Sequence, residues 1–66
     1  MSNEQQLRWV PVKRYCELTG ETLNAVRVRR HRGIWIDGKH AKAIPGAGVW
    51  VNLEEVQKWV ESASSL

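Results

Sequence analysis

The aromatic residues constrain the fold of this chain most, because they are few, large and widely spaced. The 66 residues contain no phenylalanine, and the four tryptophans are Trp9, Trp35, Trp50 and Trp59. A domain of this size buries only roughly 60% of the surface that its unfolded chain exposes, so it can hold one modest core. Each tryptophan should therefore supply a large share of the apolar burial.

The ends of the chain carry no pattern, so we expect one folded domain at residues 8–61 between flexible segments at 1–7 and 62–66. No uncharged apolar run reaches the roughly 18 residues that span a bilayer, and the N-terminus is polar. The single cysteine, Cys16, cannot form an internal disulfide, which fits a reducing compartment. We therefore expect a soluble cytoplasmic protein.

Positive charge is concentrated in the middle of the chain. Residues 22–42 contain six arginines and lysines against one aspartate. The six cations are Arg27, Arg29, Arg30, Arg32, Lys39 and Lys42. Such a block is expected of a surface that meets phosphates, although a charge run can also be a solvated helix face. The structural context of the block has to decide between the two.

The segment before the basic block predicts a short helix and a turn. Pro11 suits the first turn of a helix, and we expect the helix to end near Leu18. Its apolar face would hold Val12, Tyr15 and Cys16. Gly20 can take a positive φ, and Thr19 or Thr22 can cap a second helix.

The second predicted helix, at residues 22–32, carries most of the basic block. At 100° per residue, Leu23 and Val26 share an apolar face. The other side holds Asn24, Arg27, Val28, His31 and Arg32. Gly33 ends the helix, and Arg30 falls beside the apolar face, so its stem must reach outward to solvent. A basic helix after a helix and a Thr-Gly turn is typical of a helix-turn-helix.

After this helix the periodicity changes from helix to strand. Residues 34–36 are apolar and β-prone, and strands are predicted at 40–44 and 49–51 with a turn at 45–48. A lone hairpin is marginal in water, so we expect Trp50 to face the helices.

A third helix should close the domain. Asn52 and Glu55 form an asparagine version of a capping box. The apolar stripe that follows is Leu53, Val56, Trp59, Val60 and Ala63. The predicted fold class is α+β, a small winged helix-turn-helix with three helices and a two-stranded β-hairpin wing.

Three segments carry a resemblance to a known family: VPVKRYCELTG, TLNAVRVRRHRGIW and VWVNLEEVQKWV. Over about residues 8–60 they resemble the excisionases of temperate phages and prophages, and more distantly the winged helices of MerR type. The resemblance implies a recombination directionality factor, a DNA-bending protein that helps a tyrosine-family integrase excise a prophage. Its implied partners are double-stranded DNA, that integrase and further copies of itself on DNA, in the cytoplasm of a bacterial host. Unlike commoner members, the chain has a longer stretch at 34–41 and no Arg or Lys at 45–48.

A helix of this kind fits the major groove of DNA. The predicted base contacts are Asn24, Arg27 and Val28. Asn can pair with adenine, Arg with guanine, and a valine methyl can rest on the thymine methyl. The predicted phosphate contacts of the helix are Arg29, His31 and Arg32. The wing would add Lys39, His40 and Lys42.

Other classes of function fit less well. The chain is short and has no nucleophile and base at workable spacing, so we expect no enzyme and no cofactor. One cysteine and no paired histidine spacing argue against a metal site. Two alternatives remain open. One is a prophage transcriptional regulator of the same fold, and the other is a protein-interaction inhibitor of a host factor that uses the acidic third helix, with Glu54, Glu55 and Glu61.

Overall fold

Three helices and a three-stranded antiparallel sheet form the part of the chain described by the computed structural model, residues 8–63. The elements in chain order are β1 (Trp9–Pro11), α1 (Val12–Thr19), α2 (Leu23–His31), β2 (Ala41–Ile44), β3 (Gly48–Asn52) and α3 (Leu53–Ala63). The fold is a small α+β domain, as predicted. α3 continues two residues past the boundary expected at 61, so residues 62 and 63 of the predicted C-terminal end at 62–66 are helical. The predicted end at 1–7 and residues 64–66 lie outside the described residues.

The sheet has one strand more than the sequence predicted. Its order is β1-β3-β2, and β1 pairs with β3 from Trp9 opposite Asn52 to Pro11 opposite Trp50. The predicted hairpin is present as β2 and β3, but the expectation that the sheet has only two strands was wrong. Pro11 closes β1 instead of lying in the first turn of α1, which begins at Val12. An edge strand tolerates proline because it leaves one side of its backbone unpaired.

Alternation along β3 decides which face of the sheet meets the helices. Val51 is fully buried, and Val10 and Ala41 lie directly opposite it on the neighbouring strands. Successive strand residues point to opposite faces. Trp50 therefore lies on the outer face with Trp9, and the expectation that it faces the helices was wrong.

Trp35 fills the space between the helices and the sheet. It is 1% exposed, and its ring meets those of Tyr15 and Trp59 edge-on, at centroid distances of 5.5 and 5.6 Å. Residues 34–36 form no strand, contrary to their β-prone composition. Two backbone N–H groups of this segment donate to the carbonyl of Arg29, so the chain turns back at the end of α2 and places Trp35 in the core.

The predicted turn and caps are present, except that Glu55 does not complete the capping box, since the backbone N–H of Asn52 donates to the carbonyl of His40 at 2.8 Å. α1 ends at Thr19, and Gly20 takes a φ of 78° there. Thr22 caps α2, since its hydroxyl oxygen accepts from the N–H of Ala25 at 3.1 Å. The side-chain oxygen of Asn52 accepts from two backbone N–H groups in the first turn of α3. These contacts satisfy N–H groups that a helix terminus otherwise leaves unpaired.

Candidate nucleic-acid interface

α2 presents a polar and basic face away from the core. One open depression is lined by Asn24, Arg27, Val28, Arg30, His31 and Arg32. Five of these six residues are exposed, and Arg30 is half-buried. The helix meets the core at Val26, which is 1% exposed. Leu23, expected beside it, is 54% exposed because the first turn of α2 projects beyond the core.

This face unites five of the nine residues that the sequence singled out for DNA contact. They are Asn24, Arg27, Val28, His31 and Arg32. The three predicted base contacts thus share one depression with two predicted phosphate contacts. The first turn of α2 carries no acid, so no carboxylate of that turn would repel an approaching phosphate.

Arg29 is half-buried at the edge of the core, although the sequence suggested a phosphate contact. Its Nη1 donates to Oε1 of Glu21 at 2.7 Å and its Nη2 to Oε2, so both carboxylate oxygens are engaged. The guanidinium carbon is 5.1 Å from the ring centroids of both Trp35 and Trp59. Only 19% of the side chain is exposed. Its position on α2 at the edge of the core explains the difference, because a half-buried carboxylate and two aromatic rings satisfy the cation there.

Glu21 connects this ion pair to α1. The hydroxyl of Tyr15 donates to Oε1 of Glu21 at 2.6 Å. The hydrogen bonds from Arg29 lower the pKa of Glu21 from 4.5 to about 2. Burial, together with the bond to Glu21, raises the pKa of Tyr15 to about 12. Glu21 and Arg29 are therefore ionised and Tyr15 is neutral near pH 7, and the three groups join both helices of the predicted helix-turn-helix.

His40 is an interior residue and not the exposed contact that the sequence suggested. It is 7% exposed, and its Nδ1 accepts from the backbone N–H of Ile36 at 3.0 Å. Its ring stacks on Trp35 with a centroid distance of 6.2 Å. Burial lowers the pKa of His40, and neighbouring Lys39 acts in the same direction. The neutral ring holds the loop before β2 in place.

The two lysines of the predicted wing are exposed but do not line the depression on α2. Lys39 lies in the loop before β2. Lys42 lies on the outer face of the sheet opposite Trp50, with its Nζ 5.9 Å from the centroid of the Trp9 ring. Any DNA contact that these lysines make is thus separate from the face of α2.

The sequence matches a family model over nearly its whole length. Residues 2–64 align with the family described as "Putative excisionase (DUF1233)". The chain belongs to this excisionase family. No curated protein and no solved structure matches the chain. Membership in the excisionase family confirms the resemblance at family level and supports a DNA-binding role related to recombination.

Sequence reasoning missed two functional features of this excisionase-family chain. Arg30 lines the depression, whereas the helical wheel placed it beside the apolar face. Its ion pair with Asp37, seven residues along the chain, has no signature in the periodicity. Glu21 was not singled out, because an acid in the turn before a helix has several common uses. Only the convergence of Tyr15 and Arg29 on it shows its role.

Within residues 8–63, no helix is long and apolar enough to cross a membrane. The same residues contain no group of three or more His, Cys, Asp or Glu side chains that could hold a metal ion.

Proposed function

We propose that this excisionase-family chain is a winged-helix protein that binds double-stranded DNA, with α2 in the major groove and the β2–β3 hairpin as the wing. It acts as a directionality factor without a catalytic step of its own. It bends attachment-site DNA and directs a tyrosine-family integrase toward prophage excision. The observation that carries the proposal is the exposed face of α2, which joins polar and basic side chains on a capped helix after a glycine turn.

The face of α2 divides into base contacts and backbone contacts. The major groove is about 12 Å wide and admits a helix. Asn24, Arg27 and Val28 would reach base edges, while His31 and Arg32 would hold phosphates. Arg29 and His40 are left out of this interface, because their polar groups are engaged within the chain.

The hairpin would contact an adjacent part of the duplex. Lys39 and Lys42 are exposed cations on this side of the domain. At the tip, Gly46 and Gly48 have φ values of 81° and 78°. Their lack of a side chain permits close approach of backbone N–H groups to a phosphate.

Excision requires DNA to change shape as well as to be bound. Bending a site costs a few kcal/mol, which added protein contacts offset. A domain of this size spans a short stretch of duplex, so we propose that several copies bind along the attachment site. Circular-permutation gels on that DNA test the bend, and an in vitro excision reaction with the integrase tests the direction. Binding confined to a promoter, without an effect on excision, would favour the transcriptional regulator.

The first test is the salt dependence of duplex binding, measured by fluorescence anisotropy. Each phosphate neutralised lowers the slope of log affinity against log salt by about 0.9, and this surface reaches on the order of three to six phosphates. We expect a slope of about −3 to −5. A flat dependence would remove DNA binding and favour the protein-interaction inhibitor.

A pair of variants separates base reading from backbone contact. Arg27→Ala should cost about 1 to 3 kcal/mol on the preferred duplex and much less on unrelated DNA. Arg32→Ala should weaken both duplexes equally and make the salt slope shallower by about one unit. Lys58→Ala is the control, because it removes one cation from α3, away from this face. Equal losses on both duplexes for Arg27→Ala would make α2 a backbone clamp and leave sequence choice to DNA deformability.

A further inference from the structure

The guanidinium of Arg30 is held at the rim of the depression on α2. Its Nη2 donates to Oδ1 of Asp37 at 3.1 Å, and 27% of its side chain is exposed. Its Nε is buried and has no hydrogen-bond partner among the described residues. The N–H groups of Nη1 and the second N–H of Nη2, at the end of the guanidinium, are therefore the donors that can bind a group outside the chain.

Asp37 is an unexpected residue beside a phosphate-binding surface. It is the only acid in residues 22–42, and 74% of its side chain is exposed. An exposed ion pair of this kind contributes little to folding, and a carboxylate near DNA repels phosphates. The turn at Gly38, whose φ is 88°, suits an aspartate before it, but neither the turn nor ion-pair stability accounts for the contact of its side chain with Arg30. Orientation does, because an arginine that is already ordered loses less rotamer freedom when it binds.

We propose that Arg30 reads a base from the DNA-binding face of α2 and that Asp37 is its positioning residue. The inference rests on the proposed DNA-binding function. Guanine is the expected base, because its N7 and O6 accept the two parallel N–H groups that an arginine fork presents. A lysine in place of Arg30 would keep the charge and lose this geometry.

The test begins with selection of the preferred duplex from a random pool by the unaltered protein. The quantity measured is the ratio of affinities for that duplex and for unrelated DNA. Asp37→Asn should lower this ratio at least about fivefold, the lower limit for losing a bidentate base contact, while affinity for unrelated DNA stays equal or rises. Glu17→Gln is the matched control. It removes a carboxylate, 54% exposed against 74% for Asp37, from the Arg14–Glu17 pair on α1 and should leave the ratio unchanged.

Variants of Arg30, alone and combined with Asp37→Asn, show whether Asp37 acts through Arg30. Arg30→Ala and Arg30→Lys should each lower the ratio by roughly fivefold to a hundredfold. In either of these backgrounds, Asp37→Asn should cause no further fall, because the group that it orients is gone. Thermal melts confirm that each variant is folded, and the lysine variant serves if the alanine variant is not.

The possible results distinguish a failure of this inference from a failure of the proposed DNA-binding function. Loss of salt-sensitive duplex binding by the unaltered protein would overturn the proposed function. A pool that yields no preferred duplex would overturn base reading by Arg30. Selective binding in which Asp37→Asn leaves the ratio unchanged, or lowers it equally without Arg30, would overturn the present inference alone. An equal gain in affinity on both duplexes would show that Asp37 only repels DNA.

Discussion

Replacing Trp35 by alanine should unfold or nearly unfold the domain. The side chain is 1% exposed and its ring meets those of Tyr15 and Trp59 at about the spacing of favourable edge-to-face pairs. Truncating a buried tryptophan costs roughly 3 to 5 kcal/mol, and each aromatic pair adds about 0.5 to 1.5 kcal/mol beyond burial. The guanidinium of Arg29 also loses one of its two ring faces. We therefore expect a loss at the upper end of that range.

That loss is large against the stability available. At about 0.05 to 0.15 kcal/mol per residue, a chain of this length has roughly 3 to 10 kcal/mol in total. Trp35→Ala should thus leave a substantial unfolded fraction at 25 °C. Urea titration followed by far-UV circular dichroism measures this without relying on tryptophan fluorescence, which the substitution itself alters.

The matched control changes the same residue type on the other side of the sheet. Trp50 is half-buried on the outer face, and its indole N–H donates to the carbonyl of Ala47 at 3.2 Å. Trp50→Ala should cost about 1 kcal/mol. Equal losses for the two substitutions, or a midpoint for Trp35→Ala close to that of the parent, would refute this account of the core.

Two groups with shifted pKa values, His40 and Glu21, predict separate pH windows for stability. The buried His40 has a lowered pKa, so as the pH falls below about 6.5 the unfolded chain binds a proton that the folded chain does not yet bind. The free energy of unfolding is therefore unaffected by His40 above about pH 6.5 and decreases below it. The melting temperature should fall from about pH 7 to pH 5, and His40→Gln, which keeps an acceptor for the N–H of Ile36, should flatten this window. Glu21, with a pKa lowered from 4.5 to about 2, should contribute stability above 4.5 that is lost toward pH 2. Glu21→Gln should be less stable at neutral pH and should flatten only this acid window.

Scanning calorimetry across both windows distinguishes these two effects. For His40→Gln, a pH profile parallel to that of the parent between about pH 7 and 5 would contradict the role given to the imidazole. For Glu21→Gln, unchanged stability at neutral pH would show that the ion pair with Arg29 contributes nothing. A change by either variant in the other's window would mean that the two groups are coupled.

The parts of the fold that local chemistry determines were predictable from the sequence. The turn at Gly20 and the caps at Thr22 and Asn52 depend on neighbours within four residues, and the structure confirms them. β1 was missed because its partner strand lies far along the chain and Pro11 also suits a helix start. The side of the sheet on which Trp50 lies was predicted wrongly, because the side chains of β3 are apolar on both faces. Only the pairing of Val51 with Val10 and Ala41 fixes the register.

The candidate site was also predictable only where local periodicity determines it. A helical wheel needs only the sequence, and it grouped five residues that line the depression, although it placed Leu23 and Arg30 on the apolar side. At 100° per residue it also sets Arg29 away from Arg27. It could not show that the Arg29 guanidinium is engaged by Trp35, Trp59 and Glu21, which only the folded chain brings together.

This separation changes how the positive charge should be counted. Of the six cations in residues 22–42, Arg29 is paired with Glu21 and Arg30 is paired with Asp37. The four that form no ion pair with the described residues are Arg27, Arg32, Lys39 and Lys42. Because counterion release counts only cations that reach a phosphate, and Arg27 is assigned to a base, this block supplies about three phosphate contacts. The salt slope should therefore lie at the shallow end of the range of about −3 to −5, near −3, and a slope near −5 would require further contacts from α1 or from the hairpin backbone.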